Sequence, residues 1–237
     1  MTTRTTTLRV ACVNSAAAPL FGLAEGDGPR RGYEPAVAAL IAQTLGWDLA
    51  WVYLPWAQLL PSLDDGRADA VLCGQSVIPT RQAVADFTEP YAVFNEAVLV
   101  RAGDDVTGPD GLRGKRVAAI ARSTNMALAE TFDEAVTVPF GGESDDVFGA
   151  MLAALRAGDV DAVVHDDVVF APLADSAEFD LAFTVKTGNR WGVAVSKSRP
   201  SLLDALDEAL AVVKADGRLA AAWQEWLPSL EYPFTGE

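Results

Sequence analysis

The stretch Leu63-Asp64-Asp65-Gly66-Arg67-Ala68-Asp69-Ala70-Val71 returns later as Leu155-Arg156-Ala157-Gly158-Asp159-Val160-Asp161-Ala162-Val163. Leucine, glycine, aspartate, alanine and valine recur at one offset, since 158 − 66 = 92 and 161 − 69 = 92. Each copy reads as the end of an apolar helical stripe, a glycine that stops it, and an apolar strand. Helix–glycine–strand turns resemble one another in general, but five matching positions are harder to dismiss. A looser echo pairs Arg9-Val10-Ala11 with Arg116-Val117-Ala118, each the opening strand of a lobe. For that echo the ordinary resemblance of such turns is explanation enough. The expectation is two similar α/β lobes in succession, with the C-terminal helices returning to the first.

Working outward, strands and helices alternate. Leu8 to Val13 reads as a short apolar strand. Glu34 to Leu45 places Val37, Leu40, Ile41 and Leu45 on one helical stripe, with Pro35 near its start and Gly46 past its end. A second stripe over Trp56 to Leu63 leads through Gly66 into the strand Ala68 to Cys73. Arg116 to Ala121 is a strand, followed by helices from about Asn125 and over Val147 to Arg156, then the strand Ala162 to Val164. Ser201 to Ala215 is helical, Gly217 breaks it, and a last helix carries Trp223 and Trp226. Strands separated by helices imply mixed, mostly parallel sheets covered on both faces. The apolar stretches Ala97 to Val100 and Trp191 to Ala194 are expected to be paired crossovers forming a two-strand hinge. Lobe 1 is then 1–98 plus 193–237, and lobe 2 is 99–192. Ligands of open parallel sheets sit beyond the carboxyl ends of the strands. Those ends are Cys73-Gly74-Gln75-Ser76 and His165-Asp166, so a ligand cleft between the lobes is expected.

Composition narrows the function. The 237 residues carry 18 Lys+Arg against 33 Asp+Glu, a formal charge of −15, which argues against a nucleic-acid partner. No apolar run approaches the roughly 18 residues of a membrane span. Two cysteines, Cys12 and Cys73, give no disulfide framework. They fall on strands expected to be neighbours, and two buried free thiols are the default reading, one disulfide the alternative. Without a Cys/His cluster no metal site is expected, and no cofactor motif is present. Thr2 to Thr7 are polar, with a lone Arg4, and lack the apolar run of a secretory signal. The chain as written is therefore cytosolic, or an export segment has been removed.

The run Gly74-Gln75-Ser76-Val77-Ile78-Pro79-Thr80-Arg81, followed by Ala85-Asp86-Phe87-Thr88-Glu89-Pro90-Tyr91, resembles the signature of the polar amino-acid-binding proteins of ABC transporters. These are the family 3 solute-binding proteins, with a type II periplasmic-binding fold. The resemblance runs from Leu8 to about Leu227. It includes Gly32-Tyr33, Leu112-Arg113-Gly114-Lys115-Arg116-Val117, Asp161-Ala162-Val163-Val164-His165-Asp166, Trp191-Gly192-Val193-Ala194-Val195, and Ala215-Asp216-Gly217 before Trp226. It implies a monomeric, extracytoplasmic protein that closes two lobes on an amino acid and delivers it to a permease or a sensor.

An α-amino acid carries a carboxylate and an ammonium on one carbon, so its site needs a fixed cation and a fixed anion. The resemblance puts Arg81 on the carboxylate, where its planar fork can hold both oxygens. Ser76 adds a hydroxyl, and the backbone near Gly74 adds N–H groups. The plainer alternative makes Arg81 a surface partner of Asp86 or Glu89. Asp166 is the matching anion for the ammonium; otherwise it is a capping aspartate beside Asp167. Ser123 and Thr124 precede a helix and resemble the family's second carboxylate loop, with simple N-capping as the alternative. Arg122 departs from the glycine usual there, and either meets an acidic ligand side chain or pairs with an acid on the rim. Trp56 stands where the family has a wall against the ligand side chain, while Trp47 and Trp51 read as packing. Ala18 replaces the family's aromatic before Pro19, with Phe21 partly compensating. Asn14, Cys73 and His165 are weaker side-chain contacts, and the histidine reads equally well as structural. Arg122, Trp56, Asn14 and His165 allow a polar or acidic ligand side chain; the doubled arginines, Arg81 and Arg122, would suit a dicarboxylic substrate, whereas the intact Asp166 serves an amino acid. A cyclohexadienyl-dehydratase-like enzyme on the same fold is the alternative, with His165, Asp166 or Glu143 as its general acid.

Overall fold

The structure, a computed structural model, describes residues 6–23, 29–141, 146–173 and 176–234. Glu143 and the polar N-terminal residues up to position 5 lie outside them. In chain order the elements are β1 (Thr7–Cys12), α1 (Tyr33–Leu45), β2 (Asp48–Tyr53), α2 (Pro61–Asp64), β3 (Ala70–Val71), α3 (Pro79–Gln82), β4 (Asp86–Phe87) and β5 (Ala92–Arg101). There follow β6 (Arg116–Ile120), α4 (Thr124–Ala129), β7 (Val136–Phe140), α5 (Val147–Ala157), β8 (Ala162–Asp166), α6 (Asp167–Phe170), β9 (Phe179–Trp191), β10 (Ala194–Val195), α7 (Pro200–Ala215) and α8 (Arg218–Trp226).

Two compact units result: Met1–Val93 with Arg190–Glu237, and Phe94–Asn189. Their sheets repeat one plan, β2-β1-β3-β10-β4 in the first and β7-β6-β8-β5-β9 in the second. In the first, β1 pairs in parallel with β2 and β3, and β10 runs antiparallel to β3 and β4. In the second, β6 pairs in parallel with β7 and β8, and β5 runs antiparallel to β8. Mixed sheets with helical crossovers are what the alternation predicts. The chain passes between units inside β5, after Val93, and inside β9, after Asn189, a few residues before the positions expected from sequence. The apolar run from Ala97 to Val100 is buried because it pairs with β8 as an interior strand of the second sheet.

Local chemistry explains the elements. Gly32 opens α1 at φ 131°, and a Cβ there would meet the Leu20 carbonyl oxygen at 2.4 Å, so only glycine fits. Val37, Ala38, Ile41 and Ala42 of α1 are buried, and Gly46 closes the helix in the left-handed region. The continuous helix expected over Trp56 to Leu63 is instead a single tight turn, Trp56–Gln58, and then α2. Pro61 lacks the N–H a continuous helix needs there and begins α2 instead. The expected strand Ala68 to Cys73 shrinks to β3, with Asp69 bonded to Arg9 on one side of it and Gly74 bending the chain at φ 59° on the other.

The repeated aspartate does the same work in both units. Asp69 accepts from the Arg9 backbone N–H (3.0 Å), from its Nε (2.9 Å) and from its Nη2 (3.0 Å). Asp161 accepts from the Arg116 N–H (2.9 Å), Nε (3.0 Å) and Nη2 (2.9 Å). Each arginine also reaches the carbonyl of the repeated glycine, Gly66 (2.8 Å) or Gly158 (2.6 Å). A second arginine completes each set, Arg199 on Asp69 and Arg101 on Asp161. The echo of Arg9 and Arg116 is therefore not the accident of similar turns that the sequence reading accepted. The arginine ties its strand, β1 or β6, to the turn ahead of the neighbouring strand, β3 or β8.

These ties hold both carboxyls low. For Asp69, burial opposes ionisation, but the hydrogen bonds from Arg9 and Arg199 outweigh it, and its pKa falls to about 2. For Asp161 the Arg116 side-chain bond leads, against burial, and the pKa is again about 2. A carboxyl depressed in the folded state adds stability above its unfolded pKa and loses it as pH falls through the folded one. Stability is therefore expected to drop between the ordinary aspartate value of 3.8 and about 2. Urea titrations across that range should show a shallower pH dependence in the double variant Asp69→Asn/Asp161→Asn than in the wild type. An unchanged slope would show that neither tie is linked to folding.

Candidate functional site

The first unit gathers Gly74, Ser76, Arg81 and Trp56. Gly74 ends the short strand segment at a φ only glycine adopts easily, and its N–H donates to Glu34 Oε1 (2.7 Å). Glu34 is buried at the start of α1 and also accepts from the Tyr91 hydroxyl (2.5 Å). Burial, then the Glu34 charge, pushes the Tyr91 phenol well above its usual range, so it stays a donor. The Trp191 ring lies 3.4 Å from where a Cβ on residue 74 would sit, which fixes the loop from its other side. Ser76 forms a bridge with Trp191, and the Val77 N–H donates to the Arg190 carbonyl (2.8 Å). From this loop α3 presents Arg81. Arg81 is 8% exposed, and its guanidinium donates to the Ser76 carbonyl (3.3 Å) and lies 5.4 Å from the centre of the Trp56 ring. Asp86, offered from sequence as its surface partner, pairs with Lys197 (3.1 Å).

Asn14 lies exposed in the bend after β1. The bend is shaped by a residue the sequence reading did not single out. Arg30 is 5% exposed and donates from Nη2 to the carbonyls of Val13 (2.8 Å) and Ser15 (3.0 Å), from Nε to Gly22 (2.8 Å), and from Nη1 to the Cys12 sulfur. Its guanidinium also lies near the rings of Phe21 (4.7 Å), Trp51 (5.8 Å) and Tyr53 (5.4 Å). In this segment, where Ala18 leaves out an aromatic, Phe21 and Arg30 are both buried. Cys12 and Cys73 are free and buried. Burial raises Cys12 to about 12, with Arg30 opposing and the Glu34 charge assisting, and Cys73 is raised well above its usual value, chiefly by burial. Both stay thiols at neutral pH, so neither is a nucleophile.

The second unit gathers Ser123, Thr124, Asn125, Asp166 and Glu96. Ser123 is the N-cap of α4: its Oγ accepts from the Met126 N–H (3.1 Å) and donates to the Ile120 carbonyl (2.6 Å). The capping role is thus filled by Ser123, and Thr124 is the first residue of a helix only six residues long. Arg122 is exposed and adopts φ 62°, so the residue that replaces the expected glycine keeps glycine's backbone conformation. Asp166 ends β8 at 8% exposure, and Asn125 Nδ2 lies 3.4 Å from its Oδ1 and 3.1 Å from Glu96 Oε1. His165 packs edge-on against Phe148 (5.1 Å) and Phe170 (6.0 Å), with Nδ1 2.7 Å from the Asp166 backbone nitrogen and 3.2 Å from its Oδ2. That placement makes the ring a packing element that steadies Asp166.

Glu34, Arg30, Asn125 and Glu96 went unrecognised in the sequence as parts of this machinery. Only Glu34 carried a signal, as an acid at the head of an apolar helix; nothing in sequence marks the others as buried.

Among the described residues no group of acids, histidines or cysteines could hold a metal, and no helix is long and apolar enough to cross a membrane. Residues 9–229 match the family described as bacterial extracellular solute-binding proteins, family 3. The L-cystine-binding protein TcyJ of Escherichia coli strain K12 is 28% identical over 215 residues, spanning 88% of this chain and 78% of that protein. An ancestral arginine-binding protein solved with arginine superimposes with a TM-score of 0.83 at 27% identity, covering 93% of this chain and 98% of that one. An ancestral amino acid-binding protein described as a precursor of cyclohexadienyl dehydratase gives 0.80 at 26% identity, covering 93% and 94%.

A left-handed backbone costs a non-glycine residue on the order of 1 kcal/mol, part of which glycine returns through its freer unfolded state. Arg122→Gly is therefore expected to raise stability by about 1 kcal/mol or less. A lower urea midpoint in this variant would mean that the arginine side chain supports the loop.

Proposed function

The chain belongs to the bacterial extracellular solute-binding proteins of family 3, and from that premise we propose that it captures a free α-amino acid with a polar or acidic side chain. It then presents that ligand to an ABC permease or a sensor. One observation carries the reading: a buried cation, Arg81, follows the β3 loop of the first unit and a buried anion, Asp166, ends β8 of the second, the two signs that a zwitterion requires. In this reading Arg81 takes the carboxylate, assisted by the Ser76 hydroxyl and the backbone about Gly74, and Trp56 borders the side chain. Asp166 takes the ammonium. Ser123 and Thr124 give the carboxylate a second loop, and Arg122 meets an acidic or polar ligand side chain. The E. coli relative is named for a cystine ligand and the ancestral neighbour for arginine, which supports amino acids as the class. Relatives named as binding proteins favour capture over turnover.

A thermal-shift screen of the amino acids should find the ligand, because one present at 100 times its Kd adds about 2.7 kcal/mol. With that ligand, Arg81→Ala should leave the fold intact and cost about 2–5 kcal/mol of binding, a loss of roughly 30-fold or more. Calorimetry showing less than about a threefold loss would remove Arg81 from the site. Asp166→Asn should weaken amino acids comparably but spare analogues without the ammonium. Conversion of prephenate or arogenate by the purified protein, read by mass spectrometry, would overturn the binding role.

A further inference from the structure

Asp166 has a carboxylate neighbour that capture of an ammonium does not by itself require. Glu96 lies directly opposite Asp166 in the antiparallel β5–β8 register, so the two side chains leave the same face of the sheet. Both are buried, at 2% and 8% exposure, and the single amide of Asn125 reaches both. Like charges directly opposite on a sheet repel, and here little water is available to screen them.

We infer that Glu96, facing Asp166 across the β5–β8 pair, holds a proton while the amine half of the site is empty, and that an arriving ammonium group drives that proton out. The inference rests on the amino-acid reading above and adds its regulation: ligand capture is coupled to proton release. In the step, the Glu96 O–H bond breaks, its electron pair stays on the carboxylate, and the proton passes to solvent. The ligand's positive charge replaces it, leaving two carboxylates to face one ammonium.

The surroundings agree. Burial, followed by the Asp166 charge, raises the Glu96 carboxyl, while the polar side chains of Thr124, Asn189 and Thr187 pull the other way. Towards Glu96, β8 presents Asp166, flanked by His165 and Asp167. Asp167 is itself raised, chiefly by burial, and accepts from the Asn95 N–H (3.3 Å). From α4 come Thr124 and Asn125, both uncharged. On β9, Lys186 and Arg190 flank Thr187 and Asn189 in sequence, and both are exposed to solvent. The negative charge of Asp166 therefore has Glu96, not a cation, directly across from it.

The sign follows from linkage. A carboxyl that is protonated in the free protein and ionised in the complex makes binding weaken as pH falls below its free-state pKa, by up to about tenfold per unit for one proton. Above that pKa affinity is flat. The experiment is calorimetry from about pH 5 to pH 8 in buffers of different ionisation enthalpy, with L-cystine, L-arginine, L-glutamine and L-glutamate as probes. The wild type should release a fraction of a proton that grows towards the acid end, with affinity falling in parallel. Glu96→Gln should still bind, with that release abolished and a flatter affinity profile. Equal proton counts in the wild type and Glu96→Gln would overturn the inference and leave the amino-acid reading standing. Absence of binding by these four probes and by the remaining proteinogenic amino acids would overturn both.

Discussion

In each unit a single aspartate receives the backbone N–H and the guanidinium of one arginine, Arg9 on β1 or Arg116 on β6. Asp69 and Asp161 thereby fix where β1 meets β3 and where β6 meets β8. The partner strand is brief in the first unit, only Ala70–Val71, so the ladder alone would specify its register weakly. A charge-assisted, forked hydrogen bond supplies the specification instead. Everything downstream inherits it. Gly74, Ser76 and Arg81 follow β3, and Asp166 is the last residue of β8. A slip of one residue would turn the Asp166 side chain to the opposite face of its sheet and displace the loop and helix that carry Gly74, Ser76 and Arg81.

What the ties position is then held from below by buried polar groups. In the first unit Glu34 receives Gly74 and Tyr91, and Arg30 gathers the carbonyls of the bend that carries Asn14. In the second, Asn125 joins Glu96 to Asp166, and His165 is braced by Phe148 and Phe170. Buried polar groups are costly unless their hydrogen bonds are made, so each network admits few arrangements. The residues proposed to face a ligand are therefore held in place by the protein itself. That pre-organisation suits the capture role proposed for the chain.

The ordered motifs from Gly74 to Tyr91 and from Asp161 to Asp166 gave the family and the two-unit plan directly. Periodicity found the long helices α1, α5 and α7 within a residue or so, because each buries one apolar stripe and stops at a glycine or within two residues of one. Short or edge elements escaped it. β9 is mostly exposed along its 13 residues and carries almost no alternation, and Pro61 divided a helix whose apolar pattern ran on unbroken.

The sequence by itself determined the fold class, the repeated lobe and the candidate charges Arg81 and Asp166, since each is written in contiguous residues at fixed spacing. Only the tertiary structure decided which charges stand together. Arg30 lies 18 residues from the sulfur it touches, Glu34 lies 40 from Gly74, and Glu96 lies 29 from the amide it shares with Asp166. Such pairings follow from sheet register and burial, which set the local dielectric and the neighbours of every ionisable group. A one-dimensional pattern carries neither.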